Sequence, residues 1–276
     1  MRVSYVGGIA ILFLLSFFLS AGSVVADWHG GKALVLYKEG DDGWVQYNYK
    51  NDGILGKWEK FRDEFAAQNW TVDFARHVNE SLLSNYDALF VLTPVKDIPN
   101  NETQAIIDWV KSGGQLVITQ DWEGGEYANN ITEPFGIKFI KGIGGATFSY
   151  IDEFGNHPVT KTPNSLSNVD GITARAINVS GSSKEIGWLE LGVGPVKVKH
   201  CLLAVNDSAG EGVVVAIGDE WMWSDCCFDS ADNKELLDNI LAYFRRTCSV
   251  PEFSTPTFLI PVFLLAVLFL FFRRKG

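Results

Sequence analysis

Carboxylates and tryptophans gather in three stretches of this chain. They are Glu39, Asp41, Asp42 and Trp44; Asp121, Trp122, Glu123 and Glu126; and Asp219, Glu220, Trp221, Trp223 and Asp225. Carboxylate oxygens suit a hard cation such as calcium, and indole faces stack on sugar rings. Paired acids such as Asp121 with Asp219 or Glu220 can also act as general acid and base in glycoside hydrolysis, given a fixed separation. The same residues have a plainer use. An aspartate just after a strand caps the following turn, and a tryptophan there covers the sheet edge. The ligand-site candidates are Glu39, Asp41, Trp44, Asp121, Trp122, Asp219, Trp221 and Asp225, and the catalytic candidates are Asp121, Asp219 and Glu220.

Four cysteines, Cys201, Cys226, Cys227 and Cys248, lie in the last third of the folded part and allow three pairings. Closing adjacent Cys226 and Cys227 into a ring is strained, so the expected bond runs from one of them to Cys201 or Cys248. Free or redox thiols are the alternative. A metal site lacks a Cys-x-x-Cys spacing and a nearby histidine. Of the histidines, His29, His77, His157 and His200, none has a carboxylate at motif spacing, which leaves them surface or turn roles. The chain has no Gly-x-Ser-x-Gly elbow, phosphate loop or His-Glu-x-x-His helix.

The elements that position these residues alternate. Lys32 to Tyr37, Tyr86 to Thr93, Leu116 to Thr119 and Val213 to Ile217 are short apolar runs of the kind that forms buried parallel strands. Leu55 to Asn69 carries apolar residues at helical spacing before a strand at Thr71 to Arg76. A second helix opens at Pro99-Asn100-Asn101-Glu102 and ends before Gly113-Gly114. A short helix at Asn130 to Phe135 precedes a strand at Ile137 to Ile140, and Asn233 to Arg246 is amphipathic. Residues 142–210, rich in Gly, Ser, Thr and Asn with alternating segments, are expected to form a β-rich insertion. The fold class is α/β, a doubly wound, mostly parallel, flavodoxin-like sheet. In such sheets ligands bind beyond the carboxyl ends of the strands, where the acidic, Trp-bearing turns fall.

Residues 1–26 have the build of a secretory signal, with Arg2, an apolar stretch from Gly7 to Leu19, and Val24-Val25-Ala26 before Asp27. At the other end, residues 257–272 are apolar and Arg273-Arg274-Lys275 follow. At about 1.5 Å per residue this run covers roughly 24 Å, close to a hydrocarbon core of about 30 Å, with the basic end cytoplasmic. The expected order is therefore a signal at 1–26, one outward-facing domain at 27–250, and an anchor at 251–276. Setting aside Arg2, Arg273, Arg274, Lys275 and Glu252 takes the net charge from −10 to about −13 for residues 27–250. Such a surface argues against nucleic acid and anionic lipid as partners of the domain and favours cations, neutral glycans or basic proteins. Six Asn-x-Ser/Thr sequons, at Asn69, Asn79, Asn101, Asn130, Asn178 and Asn206, are candidate glycosylation sites.

Two resemblances add to this. Pro251-Glu252-Phe253, the apolar stretch and the basic end resemble the PEF-CTERM sorting signals of archaeal surface proteins. That resemblance implies an archaeosortase cutting near Pro251, Glu252 and Phe253 and attaching a lipid, whereas a permanent membrane span would tether the same domain. The run Tyr86 to Thr93, the helix end Ala105 to Gly114, Pro-Phe-Gly-Ile-Lys-Phe at 134–139, His157-Pro158-Val159-Thr160, and Val-Val-Val-Ala-Ile-Gly-Asp at 213–219 resemble the class I glutamine-amidotransferase-like superfamily. Within it they are closest to the trehalose-utilisation and intraflagellar-transport type domains. Amidotransferases of this fold use a cysteine nucleophile after a central strand with a late His and Glu. Here the turn reads Gln120-Asp121-Trp122-Glu123-Gly124-Gly125 and the late strand ends Gly218-Asp219-Glu220-Trp221. Nucleophile and base are both missing, so glutaminase activity is not expected. The expectation is a non-catalytic, surface-anchored domain that binds a glycan, a small polar ligand or an envelope protein. A carboxylate-based carbohydrate hydrolase and a structural envelope component are the alternatives. No cofactor is required, calcium being the one candidate.

Overall fold

The computed structural model describes residues 30–38, 42–43, 45, 58–121, 126–140, 149–172, 175–193 and 196–248. The chain divides between Gly30 and Gly31, and the fold below belongs to the second unit. Among the described residues no helix is long and apolar enough to cross a membrane. The leader at 1–26 and the apolar run at 257–272 lie outside the described residues.

The chain runs through β1 (Lys32–Leu36), α1 (Glu59–Ala67), β2 (Thr71–Ala75), α2 (Glu80–Leu83), β3 (Ala88–Val91), α3 (Asn100–Lys111) and β4 (Gln115–Thr119). It continues with α4 (Asn129–Thr132), β5 (Ile137–Phe139), β6 (Ser149–Ile151), β7 (Glu153–Phe154), α5 (Pro158–Lys161), β8 (Val169–Ile172) and β9 (Ile177–Val179). It ends with β10 (Lys184–Val193), β11 (Val196–Ala209), β12 (Gly212–Ile217) and α6 (Asn233–Cys248). The main sheet has the order β2-β1-β3-β4-β12-β11-β10-β7. Its first five strands pair in parallel and the rest antiparallel. It is thus an α/β fold around a mostly parallel mixed sheet.

The apolar runs explain the centre. β3 and β12 are buried along their whole length, as is β4, because helices cover both faces of a parallel sheet. β2, at the edge, carries a mixed pattern with exposed Thr71 and Asp73. α1 packs with α6, and α3 with α2 and α4. Between α1, β3 and the turn after β12 sits an aromatic cluster of Phe61, Phe65, Phe90 and Trp223. Phe61 stacks on Trp223 at 5.5 Å between ring centroids and meets Phe65 edge-on at 5.2 Å. Trp223 is fully buried, with its indole N–H donated to the Asn233 carbonyl at 3.1 Å. It is therefore a core residue, although the sequence places it among the acidic-aromatic turns.

The region 142–210 is only partly an insertion. β10 and β11 form a long hairpin that joins the main sheet beside β12, with Leu203 opposite Ile217 and Val205 opposite Val215. Among the described residues the small pairs β5–β9 and β6–β8 stand apart. Alternation along β11 marks it as a strand, but which sheet it extends is decided by long-range pairing.

Candidate functional site

β3, β4 and β12 are neighbours in the sheet, so the residues that follow them meet beyond its carboxyl end. Thr93 follows β3 with φ 46°, a left-handed backbone that a β-branched residue adopts only when its surroundings hold it there. They do: the Thr93 N–H donates to Thr119 Oγ1 at 2.9 Å, and the Asp121 N–H donates to Thr93 Oγ1 at 3.2 Å. The Thr93 hydroxyl in turn donates to Glu220 Oε2, which lies 3.4 Å from Thr119 Oγ1. Two threonine hydroxyls thus tie three strand ends together.

Asp219 faces its own chain. Its Oδ1 accepts the N–H of Glu220 at 2.6 Å and of Trp221 at 2.9 Å, opening the 3-10 turn Trp221–Trp223. The Gln120 side chain donates to the Pro94 carbonyl at 3.2 Å and accepts the Ala128 N–H at 3.1 Å. Arg175 comes in from the segment between β8 and β9, where its Nε donates to the Asp121 carbonyl at 3.1 Å and its backbone N–H to the Gly218 carbonyl at 2.9 Å. That approach explains Gly218, since a Cβ there would lie 2.4 Å from the Arg175 carbonyl oxygen.

The three carboxyl groups are shut in, with Asp121, Asp219 and Glu220 exposing 2, 0 and 1 % of their surface. Burial, then the charges of Asp219 and Asp121, push the Glu220 carboxyl well above the ordinary glutamate range, against the Thr93 hydroxyl that favours its ionised form. Burial likewise lowers the Arg175 guanidinium, opposed by the charges of Glu126 and Asp121. The arrangement sets a buried acid whose ionisation is disfavoured among hydroxyls and capped turns, with Arg175 bonded to the Asp121 carbonyl beside it. A glycosidase instead flanks a scissile bond with two acids about 5–9.5 Å apart and leaves room for a sugar between them. Among the described residues no three His, Cys, Asp or Glu side chains are grouped to hold a metal ion.

The structure therefore brings Asp121, Asp219 and Glu220 together but under cover. Trp221 and Asp225, half-buried, are the more accessible candidates, and Asp225 Oδ1 accepts the Lys60 N–H at the start of α1 at 2.8 Å. Glu39, Asp41, Trp44 and Trp122 lie outside the described residues. Thr93, Thr119 and Arg175 are the participants that sequence reasoning missed. Thr93-Pro94 after a buried strand carried a local signal, whereas Arg175 carried none.

Other expectations change. His77 does have carboxylate partners: its Nδ1 lies 2.8 Å from Glu102 Oε1 and its Nε2 2.8 Å from Asp42 Oδ1. Hydrogen bonds from Asp42 and then Glu102 raise its pKa. His157 is buried, accepts the Val159 N–H at the start of α5, and also has a carboxylate partner, its Nε2 lying 3.2 Å from Asp207 Oδ1. Asn69, Asn79, Asn101, Asn130 and Asn178 are exposed. Asn206 is not: it is 3 % exposed, its amide donates to the Phe135 carbonyl at 2.6 Å, and its Oδ1 accepts the Ser208 N–H at 2.8 Å. An amide nitrogen so committed has no room for a glycan, which removes Asn206 from the acceptors. Cys201, Cys226 and Cys227 are free thiols. Cys201 is buried in β11 with its thiol donated to the Leu203 carbonyl, so the expected bond from it to Cys226 or Cys227 is not formed. The Cys248 thiol lies outside the described side chains.

No family model matches the chain, and no curated protein matches it in sequence. Solved structures do. The mmIFT52 N-terminal domain aligns at 14 % identity with a TM-score of 0.60, over 77 % of this chain and 96 % of that one. The cytoplasmic protein STM1381 of Salmonella typhimurium LT2 aligns at 14 % identity and TM-score 0.55, over 77 and 99 % of the two chains. A ThuA-like protein of Bacteroides uniformis aligns at 15 % identity and TM-score 0.50, over 78 and 90 %. At these identities the likeness speaks to fold alone, and the fold is the amidotransferase-like α/β fold.

Proposed function

We propose that this chain is a non-catalytic recognition domain, exported and tethered at the cell surface, that engages a glycan, a small polar ligand or an envelope protein through the accessible part of its strand-end edge. The reading of residues 1–26 as a signal and of residues 251–276 as a PEF-CTERM-like anchor in an archaeal surface protein supports the location. Five exposed sequons and the acidic charge of the domain agree with it. The observation that carries the non-catalytic half is the burial of Asp121, Asp219 and Glu220 where the fold would place its chemistry. Recognition falls to Trp221 and its neighbours, because a half-buried indole on a fixed turn offers a flat apolar face at little entropic cost.

The test is titration of full-length protein in detergent with purified cell-envelope polysaccharide and with solubilised envelope glycoprotein. Binding lost in Trp221→Ala and kept in Glu220→Gln is the expected result. Turnover of aryl glycosides by the wild type that vanishes in Asp121→Asn would replace this reading with the hydrolase.

A further inference from the structure

The turn after β12 carries a feature that the acidic edge does not use. Cys226 Sγ lies 2.9 Å from Cys227 Sγ and 3.1 Å from Ser224 Oγ. Cys226 is exposed and Cys227 half-buried. The turn that presents them is pinned by the Cys227 and Phe228 N–H groups, both donated to the Ser224 carbonyl at 2.9 Å, and by the Asn233 amide, donated to the Cys227 carbonyl at 2.8 Å. Trp223 and Phe228, both buried, anchor it on either side. The two sulfurs face each other on a fixed backbone instead of pointing apart as neighbours in a strand would.

We propose that Cys226 and Cys227 form a two-electron redox site that takes a low-molecular-weight disulfide as its oxidant and closes reversibly into a vicinal disulfide. The Cys226 thiolate attacks the small disulfide, displaces one thiolate and becomes a mixed disulfide. Cys227 then attacks the Cys226 sulfur, forms the ring bond and expels the second thiolate. The two protein thiols lose two hydrogens, and the oxidant leaves as two thiols. Access assigns the roles: Cys226 meets solvent and lies within electrostatic reach of the Lys60 ammonium, whereas burial and the neighbouring thiol push Cys227 up to about 11, which makes it the slower nucleophile and leaves the first attack to Cys226.

Adjacent Cα atoms are about 3.8 Å apart, below the roughly 4.4 Å at which disulfides usually begin, so the ring is strained and easily reduced. A site of this kind is a labile switch rather than a structural staple. Its closure acts on the turn that holds α1, through Asp225 on the Lys60 N–H and Asp229 on the Lys60 ammonium at 2.5 Å.

The experiment is to reduce the full-length protein, expose it to glutathione disulfide, quench with acid, and count the remaining thiols by alkylation. Chymotryptic peptide Ser224–Phe228 holds both cysteines and no other. The expected result, with alkylation carried out on the unfolded chain, is a fall from four alkylatable thiols to two, with that peptide lighter by two hydrogens and free of glutathione. Cys227→Ser then traps glutathione on Cys226, and Cys226→Ser leaves Cys227 slow to react. Four thiols remaining, a lasting glutathione adduct on wild-type Cys226, or a bond from either residue to Cys201 or Cys248 would overturn the proposal.

Discussion

Replacing Glu220 by glutamine keeps the shape and neutrality of a protonated acid and removes its titration. In the folded chain burial and then the charges of Asp219 and Asp121 raise the Glu220 carboxyl, and the Thr93 hydroxyl and the Glu220 backbone N–H work the other way. In the unfolded chain the same group ionises near an ordinary value of about 4.3. The native state therefore binds more protons than the unfolded state once pH passes that value. Stability from this group is full below about 4.3 and falls as pH rises towards the raised folded value, by about 1.4 kcal/mol per pH unit. Each such pH unit is a sizeable part of the 5–15 kcal/mol that holds a typical domain together. Urea unfolding from pH 4 to 8, followed by tryptophan fluorescence, measures this. Glu220→Gln matches the wild type at the acid end and gains on it steadily as pH rises. Parallel profiles would show that Glu220 titrates normally. A loss of about 3–5 kcal/mol in the variant at neutral pH would show instead that an ionised Glu220 belongs to a buried ion pair.

Thr93→Ala removes the donor to Glu220 and the acceptor of the Asp121 N–H. It costs about 1–3 kcal/mol in urea unfolding, and Thr93→Ser recovers most of that. His77, raised by Asp42 and Glu102, contributes stability that is full below about 6.5 and is lost as pH rises through its raised folded value. Because the ring is half exposed, the effect is a fraction of 1.4 kcal/mol per unit, and His77→Gln flattens the profile in that window. Asn206→Asp sets a carboxylate against the Phe135 carbonyl and lowers stability by about 3 kcal/mol. On the proposed glycosylation of the exposed sequons, Asn206→Gln leaves the electrophoretic mobility of the native protein unchanged, while Asn178→Gln increases it.

The parallel half of the sheet was legible because β1, β3, β4 and β12 are short runs buried on both faces, a local property of composition. α3 was legible from its opening Pro99-Asn100 and its closing Gly113-Gly114. Contacts that join distant segments were not. The alternation of β11 says strand but not which neighbour, and the pairing with β12 depends on long-range contacts that the local pattern does not carry. For the same reason Arg175 could not be foreseen over Gly218, nor Glu102 and Asp42 on either side of His77. At the site, sequence brought Asp121, Asp219 and Glu220 to one sheet end correctly. It could not distinguish an open cleft from a closed lock, because that depends on Thr93 and on a segment more than 50 residues away from Asp121. The sequon at Asn206 misleads in a similar way: its three residues are right, but β11 is buried there.

Carbon-13 titration of the Glu220 carboxyl, assigned by its absence in Glu220→Gln, decides whether the strand-end acids close the sheet or serve a ligand. A lock gives a pKa well above the ordinary glutamate range that calcium and soluble glycans leave where it is. A carboxyl that titrates near the ordinary value, or moves when calcium or a glycan is added, would mean that the cluster opens and that the acids are there for chemistry or binding after all.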